Sequence, residues 1–145
     1  MLEFHGLQES TIDQFRYARR RADVERVLGW LRRRPADLLC YEQVRDRRVP
    51  RGSRELGLQE ISVESIVGSV GRCSDYTRGF MPLKDSDRLR WTRVLEAAEA
   101  AQDLPPIHAF RIGQVHFVDD GHHRVSVARR RGQSFIAATV VEIQI

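Results

Sequence analysis

Residues 107–120 hold the most restrictive pattern in the chain. Two runs, IHAFRI and VHFVDD, are separated only by Gly113 and Gln114. A two-residue connector containing glycine between such runs signals a β-hairpin, because the tight turns that suit twisted strands need positive φ. The pattern predicts Ile112 opposite Val115, Phe110 opposite Phe117 and His108 opposite Asp119, all on one side of the ribbon. The segment that follows, His122 to Arg131, reads as a helix with Gly132 as its left-handed stop. FIAATVVEIQI, rich in β-branched residues, reads as a closing strand.

The junction between hairpin and helix is Asp119-Asp120-Gly121-His122-His123-Arg124. A helix starting there exposes its first backbone N–H groups and the positive end of its dipole, which together attract anions. Gly121 removes a Cβ from the approach of a phosphate, and Arg124 offers a fork of donors. His122 and His123 can donate hydrogen bonds and titrate near neutral pH. Asp120 can cap the helix, orient an imidazole or sit beside a divalent metal. The candidate catalytic residues are therefore Asp120, His122 and His123, and the phosphate-binding residues are Gly121, His122, His123 and Arg124. A plainer reading stays open, with Asp120 as an N-cap, Gly121 as a turn residue and the histidines as surface groups. Consecutive histidines diverge by about 100° around a helix and do not chelate as an i, i+4 pair does, so no metal ligands are assigned.

Upstream, Ser10 and Asp13 have capping-box-like spacing before Ile12, Phe15, Val24, Val27, Leu28 and Leu31, which recur at helical intervals until Pro35. Arg19, Arg26 and Arg33 lie a heptad apart and are read as a solvated stripe, with phosphate binding as the alternative. A short helix is expected over residues 36–45, and the charged stretch RDRRVPRGSRELG (45–57) reads as a linker. LQEISVESI predicts a strand passing into a short helix, with Glu64 read as a solvent-facing residue and, alternatively, as a general base. The irregular segment 67–83 carries Arg72, Asp75, Tyr76 and Arg78. A long irregular segment of this kind is often functional, against the alternative of an ordered surface loop. Residues 85–102 predict a helix capped by Asp85 or Ser86.

Composition narrows the class without choosing a function. At 145 residues with 41% hydrophobic and 30% charged residues, the chain suits a soluble domain and holds no membrane-length apolar run. No basic start followed by an apolar stretch predicts a secretory signal. Cys40 and Cys73 show no metal spacing and are read as reduced thiols in a cytoplasmic protein. The net charge of +4 points weakly to nucleic acid, since every basic residue but Lys84 is arginine and 20 acidic residues are interspersed.

The run from ISVESIVGSV through LPPIHAFRIGQVHFVDDGHHRVSVARRRGQSFIAATVVEI resembles the ParB/sulfiredoxin superfamily, specifically the ParB-like N-terminal ("ParB-like nuclease") domain, over about residues 58–145. The resemblance implies an α+β fold, a small mixed sheet with packed helices, here preceded by a helical N-terminal extension and basic linker over residues 1–57. It also implies a phosphate-binding helix start in a bacterial protein, with Arg72 and Arg78 of the irregular segment as further phosphate ligands. In ParB partition proteins the matching place carries Gly-Glu-Arg-Arg and holds the triphosphate of a cytidine nucleotide. In sulfiredoxin it carries Gly-Cys-His-Arg, whose cysteine does redox chemistry with ATP. Here His122 stands in that cysteine's place, which argues against sulfiredoxin activity. Other members resemble nucleotide-dependent serine kinases or nucleases. With no helix-turn-helix after the closing strand, the expected protein is a stand-alone, regulatory or DNA-associated domain binding a nucleoside triphosphate, with Mg2+ as an accompanying ion. The alternative is a metal-dependent phosphotransferase or nuclease using the same motif. Expected partners are the nucleotide, DNA through the arginine-rich helix, and a second copy through the N-terminal helical region; no membrane is expected.

Overall fold

A computed structural model describes the backbone of residues 2–145 and the side chains of residues 11–145. Strands β4 (Ile107–Ile112) and β5 (Val115–Asp120) pair antiparallel, with Ile112 opposite Val115 and Phe110 opposite Phe117. Gly113 turns the chain at φ +58. The third expected pair differs. A register shift between His108 and Ala109 sets His108 opposite Asp120 instead of Asp119, as a bulge residue does when it drops out of the ladder.

The hairpin lies in the middle of a six-stranded mixed sheet. With β1 (Leu39–Cys40), β2 (Gly52–Ser62), β3 (Ile66–Ser69) and β6 (Phe135–Gln144), the strand order is β1-β3-β5-β4-β6-β2. β3 runs parallel to β5 on one side of the hairpin, and β6 runs parallel to β4 on the other. Four helices accompany the sheet among the described residues: α1 (Leu2–Arg32), α2 (Tyr41–Arg47), α3 (Arg88–Glu99) and α4 (His122–Arg130). The chain is thus α+β, with a mixed sheet and packed helices. α4 ends as its glycine suggests: Gly132 takes φ +69, and Gln133 N–H reaches back to the Ala128 carbonyl at 2.9 Å.

Two expectations about the N-terminal third need correction. The stretch 45–57 is only partly a linker. β2 begins at Gly52, pairs with β6 from Gly52 opposite Gln144 onward, and so crosses the expected boundary at residue 57. Its glycines mark a bulge between Glu55 and Gly57, with Gly57 at φ +74, and that punctuation disguised a strand. The expected helix over 36–45 is instead the short strand β1 followed by α2.

α1 also starts earlier than Ser10, at Leu2, so Ser10 lies within the helix; its side chain is outside the described residues. The buried side of α1 is Phe15, Ala18 and Ala22, which meet Met81, Trp91, Leu95 and Val127. Phe15 and Trp91 stack edge to face, 5.6 Å between centroids. Val24, Val27, Leu28 and Leu31 keep the helical period but stay exposed, because α1 runs on past the surface it packs against. Arg33, at φ +53, closes the helix before Pro35. Arg19 leaves the expected arginine stripe: its Nε donates to Asp85 Oδ1 at 2.9 Å and its guanidinium to the Pro82 carbonyl, pinning α1 to the approach of α3.

Cys40 and Cys73 form a disulfide, with Cα atoms 5.3 Å apart. This overturns the reading of two isolated reduced thiols and removes the cysteine-based ground for a cytoplasmic location. The cysteines are 33 residues apart in sequence and meet only because the segment after β3 returns beside β1. Among the described residues no helix is long and apolar enough to cross a membrane.

Two stability outcomes follow from this packing. Trp91 is fully buried and its Nε1 donates to Ser126 Oγ at 2.9 Å, so Trp91→Ala should cost about 3–5 kcal/mol in urea unfolding. A loss under about 1 kcal/mol would mean that α1 does not dock on α3 and α4. Reducing the disulfide, or a Cys40→Ser/Cys73→Ser variant, should cost roughly 3–4 kcal/mol from the unfolded-chain entropy of a loop spanning 33 residues. Identical denaturation midpoints with and without a dithiol would contradict the cross-link.

Candidate functional site

β3 and β5 are parallel neighbours, so their carboxyl ends, Ser69 and Asp120, open on the same edge of the sheet. In open sheets with parallel strands that edge is where ligands tend to bind. From β5 the chain turns at Gly121 into α4. Gly121 takes φ +109, and a Cβ there would meet Ile107 Cγ2 at 2.5 Å, so glycine is required by both backbone and space. Gly121 is also the residue before the first helical turn, and no side chain caps it. The expected Asp120 cap is therefore absent. Asp120 instead faces solvent and accepts from Arg124 at 3.4 Å.

An open cleft of about 360 Å³ faces this helix start, lined by Arg72, Arg90, Arg93, Val94, Asp120, Gly121, His122, His123 and Arg124. Six of these were singled out from sequence; Arg90 and Arg93 were not. They sit one turn apart on α3, and only the packing of α3 against α4 brings them to the helix start. Their spacing gave a surface helix no distinguishing mark. The side chains of Arg90 and Arg93 make no hydrogen bond or salt bridge among the described residues.

The other two arginines are already engaged. Arg124 donates to the carbonyls of Pro105 and Pro106, the latter at 2.8 Å, which ties α4 to the chain entering β4. Arg72 Nε donates to Asp75 Oδ2 at 2.9 Å, and Lys84 Nζ lies 2.8 Å from Asp75 Oδ1. Burial opposes ionisation of Asp75, but the hydrogen bonds from Lys84 and Arg72 outweigh it and hold this carboxyl below the usual carboxylate range. Arg78 does not line the cleft; it is exposed, and its backbone N–H donates to the Ala36 carbonyl at 2.7 Å. Glu64 is exposed in a 3-10 turn, Val63–Ser65, and is also absent from the lining.

The two histidines divide sharply in environment. His122 is 3% exposed, shares a 2.6 Å hydrogen bond between its Nε2 and Ser69 Oγ, and stacks on Tyr76 at 18° and 5.9 Å. Ser69 Oγ also accepts the Arg72 backbone N–H at 3.2 Å. Burial, with Arg72 and His123 adding to it, lowers the His122 pKa to about 4. His122 is thus a neutral strut at the inner wall, not a surface group. His123 forms more of the accessible lining. Its Nε2 lies 3.2 Å from Oδ1 of Asp87, a buried carboxylate just before α3. Among the described residues, no group of three or more His, Cys, Asp or Glu side chains is placed to hold a metal ion.

No family model matches this chain, and no curated protein matches it. Among solved structures, sulfiredoxin from Arabidopsis thaliana is similar, with a TM-score of 0.43 and 14% identity, over 57% of this chain and 82% of that one.

The His122 environment sets a pH dependence. The folded-state pKa, about 4, lies below the ordinary 6.5, so the unfolded chain binds the proton more readily. The resulting stability is complete above the ordinary value and is lost as pH falls from there through the folded value. The loss should be on the order of 3 kcal/mol. Urea midpoints measured across that interval should fall with pH in the parent chain and flatten in His122→Phe; equal slopes would place the titration elsewhere.

Proposed function

We propose that this chain is a ParB-like domain that binds a nucleotide, a nucleoside triphosphate above all, or another phosphate ligand at the Asp-Gly-His-His-Arg helix start, in a regulatory or DNA-associated role. The observation that carries the reading is the pair Arg90 and Arg93. Two guanidinium groups unpaired among the described residues, a helix N-terminus and a glycine without a Cβ converge on one cleft. Each favours negative charge, and guanidinium forks match phosphate oxygens in shape. The likeness to the ParB-like domain is carried by the motif Asp120-Gly121-His122-His123-Arg124.

In this reading the roles expected from sequence are redistributed. Gly121 and the first N–H groups of α4 receive the anion, and Arg90 and Arg93 supply its charge partners. Arg124 braces the site through Pro105 and Pro106. Arg72 contributes from a position set by Asp75. A second reading has the same cleft catalyse phosphotransfer or phosphodiester hydrolysis. It draws support from the hydrogen-bonded His123–Asp87 pair, whereas His122 is buried and Asp120 faces solvent. DNA contact through α1 draws less, because Arg19 is held by Asp85 and Pro82.

Thermal unfolding with inorganic phosphate and with each nucleoside triphosphate, with and without Mg2+, tests the reading. A ligand at about a hundred times its Kd should raise Tm by roughly 5–10 °C. An Arg90→Ala/Arg93→Ala variant should keep its own fold and lose that response. If no phosphate compound shifts Tm, the reading is wrong.

A further inference from the structure

The cleft contains a feature that a simple cradle of positive charge does not need. Behind His123 stands Asp87, 8% exposed, with Oδ1 3.2 Å from His123 Nε2 and 3.7 Å from an Arg72 amino nitrogen. The other oxygen of Asp87, Oδ2, is buried and has no hydrogen-bond partner among the described residues. A buried carboxylate beneath an anion site works against anion binding unless a positive group stands between the two. His123 occupies that position and is the one member of the set whose charge can change near neutral pH.

The groups facing His123 decide when it does so. Asp87, from the turn before α3, favours the imidazolium. Burial opposes it most strongly; Arg72, from the segment after β3, and Arg90, from α3, add to that, and the balance leaves the ring below its ordinary pKa. Tyr76 presents its ring at 78° to the imidazole and adds no formal charge while its phenol is protonated. His122, on the same helix, is held neutral by burial. A doubly charged anion in the cleft offsets Arg72 and Arg90 and adds attraction for a proton, so the balance reverses. A singly charged anion supplies half that pull.

We propose that the cleft selects a dianionic terminal phosphate, such as that of a phosphate monoester or the end phosphate of a nucleotide, over a phosphodiester, and that His123 takes up one proton as the ligand binds. Asp87 is the positioning residue: it accepts Nε2–H throughout, so the proton drawn from solvent goes to Nδ1, which then donates to a phosphate oxygen. This rests on the reading of the cleft as an anion site and names the class of anion.

Sulfate isolates the effect, since it remains a dianion across the neutral range and any pH dependence belongs to the protein. Sulfate and dimethyl phosphate binding are measured by calorimetry on either side of neutral pH, with the full chain and its disulfide intact. Sulfate affinity should strengthen as pH falls, approaching tenfold per pH unit where one proton is taken up. Dimethyl phosphate should bind more weakly and change less. In His123→Gln the sulfate profile should become flat, and in Asp87→Asn it should move to lower pH. The parent chain alone suffices to overturn the proposal, should Asp87→Asn fold poorly: sulfate binding with a level profile, or diester bound as well as sulfate, refutes it and leaves the anion cleft standing. Failure of sulfate, phosphate and nucleotides alike to bind removes both.

Discussion

The hydrogen bond between Ser69 Oγ and His122 Nε2 is the contact on which the cleft depends. Ser69 ends one parallel strand and His122 begins the helix that leaves its neighbour, so this bond joins the two chain segments that open at the same sheet edge. Ser69 also receives the Arg72 backbone N–H, which fixes the first turn of the segment bearing Arg72 and Asp75. A polar contact buried this deeply is costly to leave unmade, so helix start and loop are held as one unit. Tyr76, stacked on the same imidazole, extends that unit into the main apolar core with Ile66, Ile107 and Val125.

Arginine does several different jobs in this chain. Arg19 fastens a helix, Arg124 fastens a strand entry, Arg72 is oriented by a carboxylate, and Arg90 and Arg93 have no partner among the described residues. Residue type alone therefore says little about ligand contact in a chain this rich in arginine. What separates the classes is whether a carbonyl or carboxylate lies within reach, and that depends on tertiary placement.

The parts of the fold legible in the sequence were those decided by neighbours in the chain. The Gly113-Gln114 turn, the Gly132 stop and the β-branched closing strand each depend on local backbone chemistry. The helix start at Gly121 was legible for the same reason. The rest required distant partners. The bulge that realigns His108 with Asp120, the pairing of Cys40 with Cys73, and the approach of Arg90 and Arg93 to α4 all arise from packing between segments far apart in sequence. The apolar period of α1 was read correctly as helix, but periodicity does not reveal where a partner surface stops. Ala18 and Ala22, small enough to admit close contact, mark the docked side better than Val24 or Leu31.

The bulge in β2 bears on how the molecule behaves among copies of itself. β2 is one of the two edge strands and spans Gly52–Ser62, leaving a long row of backbone donors and acceptors without a neighbouring strand among the described residues. Such a row is a template on which another chain can add, and Leu58, exposed on it, would favour the addition. The irregularity at Glu55–Gly57 interrupts the row near its middle, Pro50 precedes it, and Arg54, Glu55 and Glu60 place charge along it. An incoming strand would have to match a bent backbone and bury those charges, so this border of the sheet resists growth into fibrils.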